Sequence, residues 1–356
     1  MTVCKHFGSC GGCSLQNLSP PDYRAHKRDM VVSALARAGL SGVTVTDPLT
    51  VHENSRRRAV FKLARRKDKV EVGFHTAKSH SIIDMEECLV LTPALFALVG
   101  ILRKALPSIL NDTENAELHV TESDTGLDLA FRAARKLTPE LASALARSLG
   151  GKNVARIIFN NELVLENTVP LVNLAGAQVA LPPVAFLQAS REGEGALQDH
   201  VRALLKGAKH IADLFAGLGT FTFALAPKAR VHAVEQDEAA LAALARAVRA
   251  TSGLKPITTE RRDLFKQPLA GTELKGFDAV LLDPPRAGAE TQIQALAGSK
   301  IAKIAYVSCD PASFARDAAI LVGAGFALGP VTPIDQFLYS GHIELVAGFE
   351  RNARAK

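Results

Sequence analysis

The hydrophobic pattern changes character midway along this chain. Beyond Pro182-Pro183, short unbroken apolar runs alternate with segments whose apolar positions recur every three or four residues. Unbroken runs mark strands covered on both faces, and the helical spacing marks the helices that cover them. The expected order is helix 194–205, strand 210–214, helix 221–226, strand 231–235, an alanine-rich helix 239–250, then strands 279–282 and 303–307. Such alternation predicts a parallel, doubly wound α/β sheet. Before the prolines the pattern differs. Strand-like segments fall at 43–51, 59–64, 70–75, 81–85, 118–122, 127–132, 154–160 and 162–166, and a charged turn between 64 and 70 predicts a β-hairpin. Helices are expected over 23–38, 94–105 (stopping before Pro107) and 138–149. The chain is therefore expected to divide into a mixed, mostly antiparallel α+β domain over 1–180 and an α/β domain over 181–356.

Composition narrows the class. The 356 residues suffice for two domains, on a prior of roughly 150 each. The hydrophobic content of 47% and charged content of 22% are those of an ordinary globular protein. The longest apolar stretch, 89–102, contains Thr92 and Pro93 and falls short of the roughly 20 residues of a membrane span. Residues 1–20 lack an apolar export signal. A cytoplasmic, reducing location follows as the expectation, and there cysteines serve as ligands or nucleophiles rather than disulfides. The net charge is +6, and Arg56, Arg57, Arg58, Lys62, Arg65, Arg66, Lys67 and Lys69 concentrate positive charge in one region. On adjacent strands such side chains can track phosphates, which makes RNA an expected partner.

Five cysteines then divide the chemistry. Cys4, Cys10 and Cys13 form a C-x5-C-x2-C array with Cys88 downstream, four sulfurs suited to tetrahedral zinc or an iron–sulfur cluster. Cys309 stands alone after the strand at 303–307, the ligand-facing edge of such a sheet. A lone cysteine is ordinarily a small buried hydrophobe. At this edge a thiolate could instead add to C6 of a pyrimidine, making C5 nucleophilic. The C5 proton must then leave, and Glu344, in an apolar run, is an expected base with a raised pKa; His342 is the alternative. The loop Asp213-Leu-Phe215-Ala-Gly217-Leu-Gly219-Thr220 follows a strand, and glycine there lets backbone approach a ligand. A dinucleotide fingerprint needs a third glycine where Thr222 stands, so S-adenosylmethionine fits better than NAD, with Glu235 on the ribose. Asp283-Pro284-Pro285-Arg286 places a carboxylate rigidly at another strand end.

Together these residues resemble the bacterial iron–sulfur RNA uridine-C5 methyltransferases that act on 23S ribosomal RNA. The likeness runs from the cysteine array through Phe186-Leu-Gln188, the glycine loop, Asp283-Pro-Pro-Arg and Ser308-Cys309-Asp310-Pro311 to His342-Ile-Glu344. It implies a Rossmann-like class I methyltransferase domain, a [4Fe–4S] cluster on Cys4, Cys10, Cys13 and Cys88, and a cofactor site of Gln188, Phe215, Gly217, Gly219, Thr220, Glu235, Asp263 and Asp283. Cys309 would be the nucleophile and Glu344 the proton acceptor. The family often has Asn at the positions of Thr220 and Ser190, and its larger members carry an N-terminal β-barrel ahead of the cysteines that is expected to be lacking here. The cysteine array favours 23S rRNA over tRNA as substrate, and nothing demands more than a monomer. The alternatives are the same chemistry on tRNA uridine or RNA cytosine C5, and a non-enzymatic iron–sulfur RNA-binding or redox module.

Overall fold

The computed structural model describes residues 3–67, 69–77, 79–151 and 153–351. Ser19 accepts from the Asp22 N–H and two prolines fill the first turn of helix α1 (Pro20–Arg37). After the two-residue strand β1 (Leu49–Thr50) come β2 (Arg58–Arg66), β3 (Lys69–His75), β4 (Ile82–Asp84), α2 (Pro93–Ile109), β5 (Asn115–Ser123), β6 (Gly126–Ala133), α3 (Pro139–Leu149), β7 (Val154–Phe159) and β8 (Glu162–Glu166). Strands β2 to β8 form one seven-stranded sheet in the order β4-β3-β2-β5-β6-β7-β8. It is antiparallel throughout except β6–β7, which α3 connects as a crossover. Leu95, Leu98 and Leu102 of α2 and Leu145 of α3 pack on Phe61, Leu118, Phe131 and Ile157. Helix α2 runs through Pro107 rather than stopping before it. A proline inside a helix costs about 3 kcal/mol. Leu106 and Ile109, both buried on that face, offset it at about 1.5–3 kcal/mol each.

The hairpin β9 (Leu171–Leu174) and β10 (Ala177–Ala180) leads into α4 (Arg191–Leu204), β11 (His210–Leu214), α5 (Thr222–Leu225), β12 (Arg230–Glu235), α6 (Glu238–Ala250) and β13 (Ile257–Arg261). Then follow β14 (Ala279–Leu282), α7 (Glu290–Ala297), β15 (Lys303–Ser308), α8 (Pro311–Gly323), β16 (Phe326–Leu328), β17 (Thr332–Asp335) and β18 (Glu344–Arg351). The sheet order is β1-β17-β18-β15-β14-β11-β12-β13, with β16 also on β18. The expected all-parallel sheet is corrected here: β18 lies antiparallel between β15 and β17. A short strap, 336–343, joins β17 to β18, and a connection without a crossover helix can only return the chain antiparallel.

Packing divides the chain differently from its order. Val31, Ala34 and Leu35 of α1, with Val45, sit in the core beneath the large sheet. The strand expected over 43–51 is reduced to β1, which extends that sheet beside β17, and a single bridge from Val45 to Val331. Val172, Leu174, Ala177 and Val179 of the β9–β10 hairpin pack with Leu244 and Ala247 of α6. Both segments lie before residue 181, yet both pack against the second unit. No helix among the described residues is long and apolar enough to cross a membrane.

Candidate active site

The parallel strands of the large sheet end at one edge, and the chemistry-bearing residues follow directly. Leu214 pairs with Leu282 and with Val234, so Phe215, Asp283 and Glu235 leave the sheet at one level. Ser308 pairs with Leu345 in the antiparallel β15–β18 ladder, so the next residues along face each other: Cys309 and Glu344. Reversal of β18 thus brings the start of that strand to the ligand edge. A cavity of about 1380 Å³ opens there, and Phe215, Gly217, Thr220, Glu235, Asp283, Cys309 and Glu344 all line it.

The glycine loop forms one wall. Phe215, Gly217 and Gly219 all take positive φ (64°, 54° and 92°). At Gly219 a Cβ would lie 2.8 Å from the Phe223 ring and 3.0 Å from Leu244, so only glycine lets the loop pack this closely on α5 and α6. Glu235 accepts from the Gly217 N–H (2.9 Å) and from the Asp237 N–H (2.7 Å), which fixes its carboxylate at the cavity wall with lone pairs to spare. Phe265 packs on Phe215 with ring centroids 5.5 Å apart and gives an aromatic face to the cavity. Three expected residues stand outside the lining. Gln188 is buried behind it and accepts from the Gln336 amide (2.6 Å). Asp263 holds the Phe265 N–H (3.1 Å), and Gly219 lies beneath the loop. Ser190, where the family often has Asn, caps α4 through the Gly193 N–H (3.0 Å), a role asparagine performs equally well.

The floor is acidic. Burial raises the Asp213 carboxyl to about 7; one of its oxygens is held by Thr222 and the other is unpartnered. Burial, then Glu344, Asp213 and Glu235, push Asp283 well above the usual carboxylate range. Glu344 is 3% exposed, and burial raises it to about 7 against weaker opposition from Gln336 and Arg286. Its Oε2 is buried without a partner. Cys309 sits between β15 and α8, where Asp310 caps the helix through the Ala312 and Ser313 N–H groups (3.0 and 2.8 Å). Burial, Glu344 and Asp283 push its thiol up to about 11, and Arg286 works the other way. Arg286 donates to Nδ1 of His342 at 2.7 Å. Arginine can only donate, so that nitrogen is the acceptor and the ring is neutral; burial, Arg286 and Lys27 also lower its pKa. His342 is therefore engaged, while Glu344 keeps a free oxygen facing the cavity. Arg286 and Phe265 are contributors that the motif reading left without a role.

Beside this cavity, and sharing Gly12, Phe74 and Val90 with it, Cys4, Cys10, Cys13 and Cys88 line a second cavity of about 30 Å³ with Phe7, Gln16 and Met85. The Gly12 N–H points to Cys10 Sγ at 3.4 Å, and the Val90 and Leu91 N–H groups to Cys88. Among the described residues no group of three or more His, Cys, Asp or Glu is gathered about a single-ion position. The four sulfurs nonetheless converge from two distant segments, and backbone donors aimed at sulfur suit a buried thiolate set. Burial pushes Cys13 up to about 12 and raises Cys10 and Cys88, so four thiolates could share this cavity only around a cation.

Part of the expected phosphate-tracking run is engaged internally. Arg57 is buried, paired with Glu194 at 2.6 Å and donating to Gln188 O at 3.1 Å. Arg58 donates to Leu187 O (2.7 Å) and lies over Phe186, and Lys62 is paired with Glu117. Arg65 holds Pro107 O and Leu110 O (both 2.8 Å). Of these, Arg57 and Arg58 brace the two units together, Lys62 and Arg65 are held within the first, and Arg66, Lys67 and Lys69 stay exposed. Only Arg56 of the triplet reaches the cavity.

This sheet order, with one antiparallel strand inserted between two parallel ones and a ligand cavity at the strand ends, defines a class I methyltransferase. A family model described as tRNA (Uracil-5-)-methyltransferase matches residues 193–351. An uncharacterized RNA methyltransferase of Rhizobium meliloti is 44% identical over 98% of this chain and 85% of its own length. The 23S rRNA (uracil(1939)-C(5))-methyltransferase RlmD of Aeromonas salmonicida is 30% identical over 98% of this chain and 82% of its own. The chain belongs to the S-adenosylmethionine-dependent RNA uracil-C5 methyltransferase family. The solved Pyrococcus abyssi tRNA (uracil-54, C5)-methyltransferase, bound to S-adenosyl-L-homocysteine, shares the fold: TM-score 0.76 over 96% of this chain and 84% of that one, at 23% identity.

Proposed function

We propose that this enzyme methylates C5 of a uridine in 23S rRNA, with Cys309 as nucleophile and Glu344 as proton acceptor. The observation that carries the reading is the register that sets Cys309 opposite Glu344 inside the cavity walled by the glycine loop. Phe215, Gly217, Thr220, Glu235 and Asp283 would hold S-adenosylmethionine, with Gln188, Gly219 and Asp263 shaping the wall from behind. When bound, the cofactor supplies an electrophilic methyl group and a positive charge that offsets the acidic floor. Cys309 adds as the thiolate, its proton already released to solvent, to C6 of the flipped uracil, and the ring electrons move to C5. Once C5 is substituted, Glu344 takes the C5 proton, the electrons re-form the C5–C6 double bond, and the Cys309 thiolate leaves. Extruding the base costs a few kcal/mol, least in a loop or single strand. Arg286 moderates the negative charge around the thiol and, through His342, fixes one rim of the cavity.

Cys4, Cys10, Cys13 and Cys88 would hold a [4Fe–4S] cluster. The convergence of the four sulfurs on one cavity supports that reading, and the identity with RlmD supports the ribosomal substrate. The test is transfer of labelled methyl into undermodified 23S rRNA and, separately, tRNA, with nucleosides resolved after digestion and Cys309→Ala as control. Label in 5-methyluridine from 23S rRNA alone is expected, and none with Cys309→Ala, which should still bind S-adenosylmethionine. Label from tRNA alone overturns the substrate, and near-normal turnover by Cys309→Ala overturns the mechanism.

A further inference from the structure

The strap 336–343 carries much of the cavity rim. It presents Phe337, Ser340, Gly341 and His342 to the cavity and delivers the chain to Glu344. No helix or strand pairing stabilises it internally. Tyr339, near its middle, has φ +60°, a left-handed backbone that a bulky residue adopts only when its surroundings impose it.

What imposes it comes from far away in the sequence. Lys27, on α1, is fully buried. Its ammonium has three partners: it is ion-paired with Asp335 Oδ1 at 2.7 Å and donates to His342 O at 2.6 Å and to Phe337 O at 3.3 Å. One acceptor is the residue before the strap, and the other two lie near its two ends. Tyr23, one turn earlier on α1, donates its hydroxyl to Asp335 Oδ2 (2.5 Å) and accepts from the Tyr339 N–H (2.9 Å). The Tyr339 carbonyl in turn accepts from the Ser14 and Leu15 N–H groups (2.7 and 3.0 Å).

Burying an ammonium and a carboxylate is expensive, and an apolar pair of similar volume often stabilises a fold equally well or better. The pair's distinctive effect is thus geometric: one charge draws two backbone carbonyls to a single point and closes the strap into a loop. We propose that Lys27 is a positioning residue for catalysis, closing the strap so that Glu344 and the His342–Arg286 pair stand at fixed positions around Cys309. The site that removes the C5 proton is then assembled across the whole chain, with a helix from the first forty residues setting the geometry of a base more than three hundred residues later. This rests on the reading of Glu344 as proton acceptor.

The test compares Lys27→Met, close in volume but unable to donate, and Lys27→Arg with wild type. Amide hydrogen exchange of 336–343 is measured on the RNA-free protein. Turnover, RNA KM and the covalent protein–RNA adduct on denaturing gels are measured with 23S rRNA. Lys27→Met is expected to lose exchange protection in the strap while keeping S-adenosylmethionine affinity. It should lower kcat on the order of 10²-fold, the cost of about 1 Å of misplacement, with KM little changed. Adduct should accumulate, because proton removal slows more than thiol addition. Lys27→Arg should recover part of kcat. Unchanged strap exchange, or wild-type kcat in Lys27→Met, overturns the proposal, and so does a loss of kcat with no adduct and no recovery by arginine. If Lys27→Met does not fold, Tyr23→Phe removes a single hydroxyl and carries the same expectation at the Tyr339 amide, with unchanged exchange there overturning it. A wild-type enzyme that makes no 5-methyluridine refutes the functional reading instead, and the exchange measurement still decides the strap.

Discussion

Glu344→Gln separates the cost of a buried base from its use. In the folded protein burial lifts Glu344 from 4.5 to about 7. The sign follows from linkage: the folded state binds this proton more tightly than the unfolded chain, so stability falls as pH rises from about 4.5 to about 7 and stays reduced above that. A shift of roughly 2.5 units at 1.36 kcal/mol each gives an upper bound of about 3 kcal/mol lost at pH 8. Glutamine is nearly isosteric with the protonated acid and cannot ionise. At pH 4 the variant and wild type should therefore melt within about a degree of each other. At pH 8 the variant should melt several degrees higher, on the scale of a few degrees per kcal/mol for large domains. The same variant should lose methyl transfer by on the order of 10²–10⁴-fold and retain a covalent RNA adduct. Wild-type single-turnover rates should climb with pH through an inflection near 7, and no such inflection should remain in the variant's residual rate. Differential scanning calorimetry at the two pH values, on RNA-free protein, is the decisive assay. A variant no more stable than wild type at pH 8 would mean that Glu344 is ionised at little cost, and the argument for a tuned base would fall.

Two further outcomes follow from specific contacts. Gly219→Ala forces a Cβ to 2.8 Å from Phe223 at φ +92°, and should cost about 1–3 kcal/mol of stability, read by urea unfolding, with weaker S-adenosylmethionine binding by calorimetry. Anaerobically purified protein should be brown and contain about four irons per chain, as a cubane on four thiolates requires; Cys13→Ser should lose the colour and the iron, and a colourless zinc protein would refute the cluster.

Much of the site was legible because topology does the placing. Phe215, Glu235, Asp283 and Cys309 each stand at or just past the end of an apolar strand, and in an α/β sheet the ends of parallel strands meet at one edge. Four short sequence signals thus collapse onto one cavity. Glu344 obeys a different logic. Its approach to Cys309 depends on β18 running against its neighbours, and the alternation of helices and strands that predicts a parallel sheet hides that reversal. Helix α8 was missed although its signals are local: Asp310 caps it and Pro311 opens it. Edge strand β13, with its polar Thr258, Thr259 and Glu260, lacks the apolar run that marks a covered strand. The arginine triplet misled for a simple reason. Charge count says nothing about which way a side chain faces, and Arg57 faces inward, where Glu194 meets it.

The same distinction bears on how the enzyme would meet RNA. If Arg57, Arg58, Lys62 and Arg65 are spent on internal acceptors, they release few counterions, and the salt dependence of RNA binding should be shallower than the run of charges implies. What remains at the cavity is chemistry suited to one extruded base: Arg56, the exposed ring of Phe186 braced by Arg58, and the acidic floor beneath. A floor where burial disfavours charge would strip a phosphate of its water but accepts an uncharged uracil. Electrostatics therefore favour the base over the backbone at the point where Cys309 waits, and selectivity for a flipped nucleotide is built into the burial of the carboxylates that the chemistry needs.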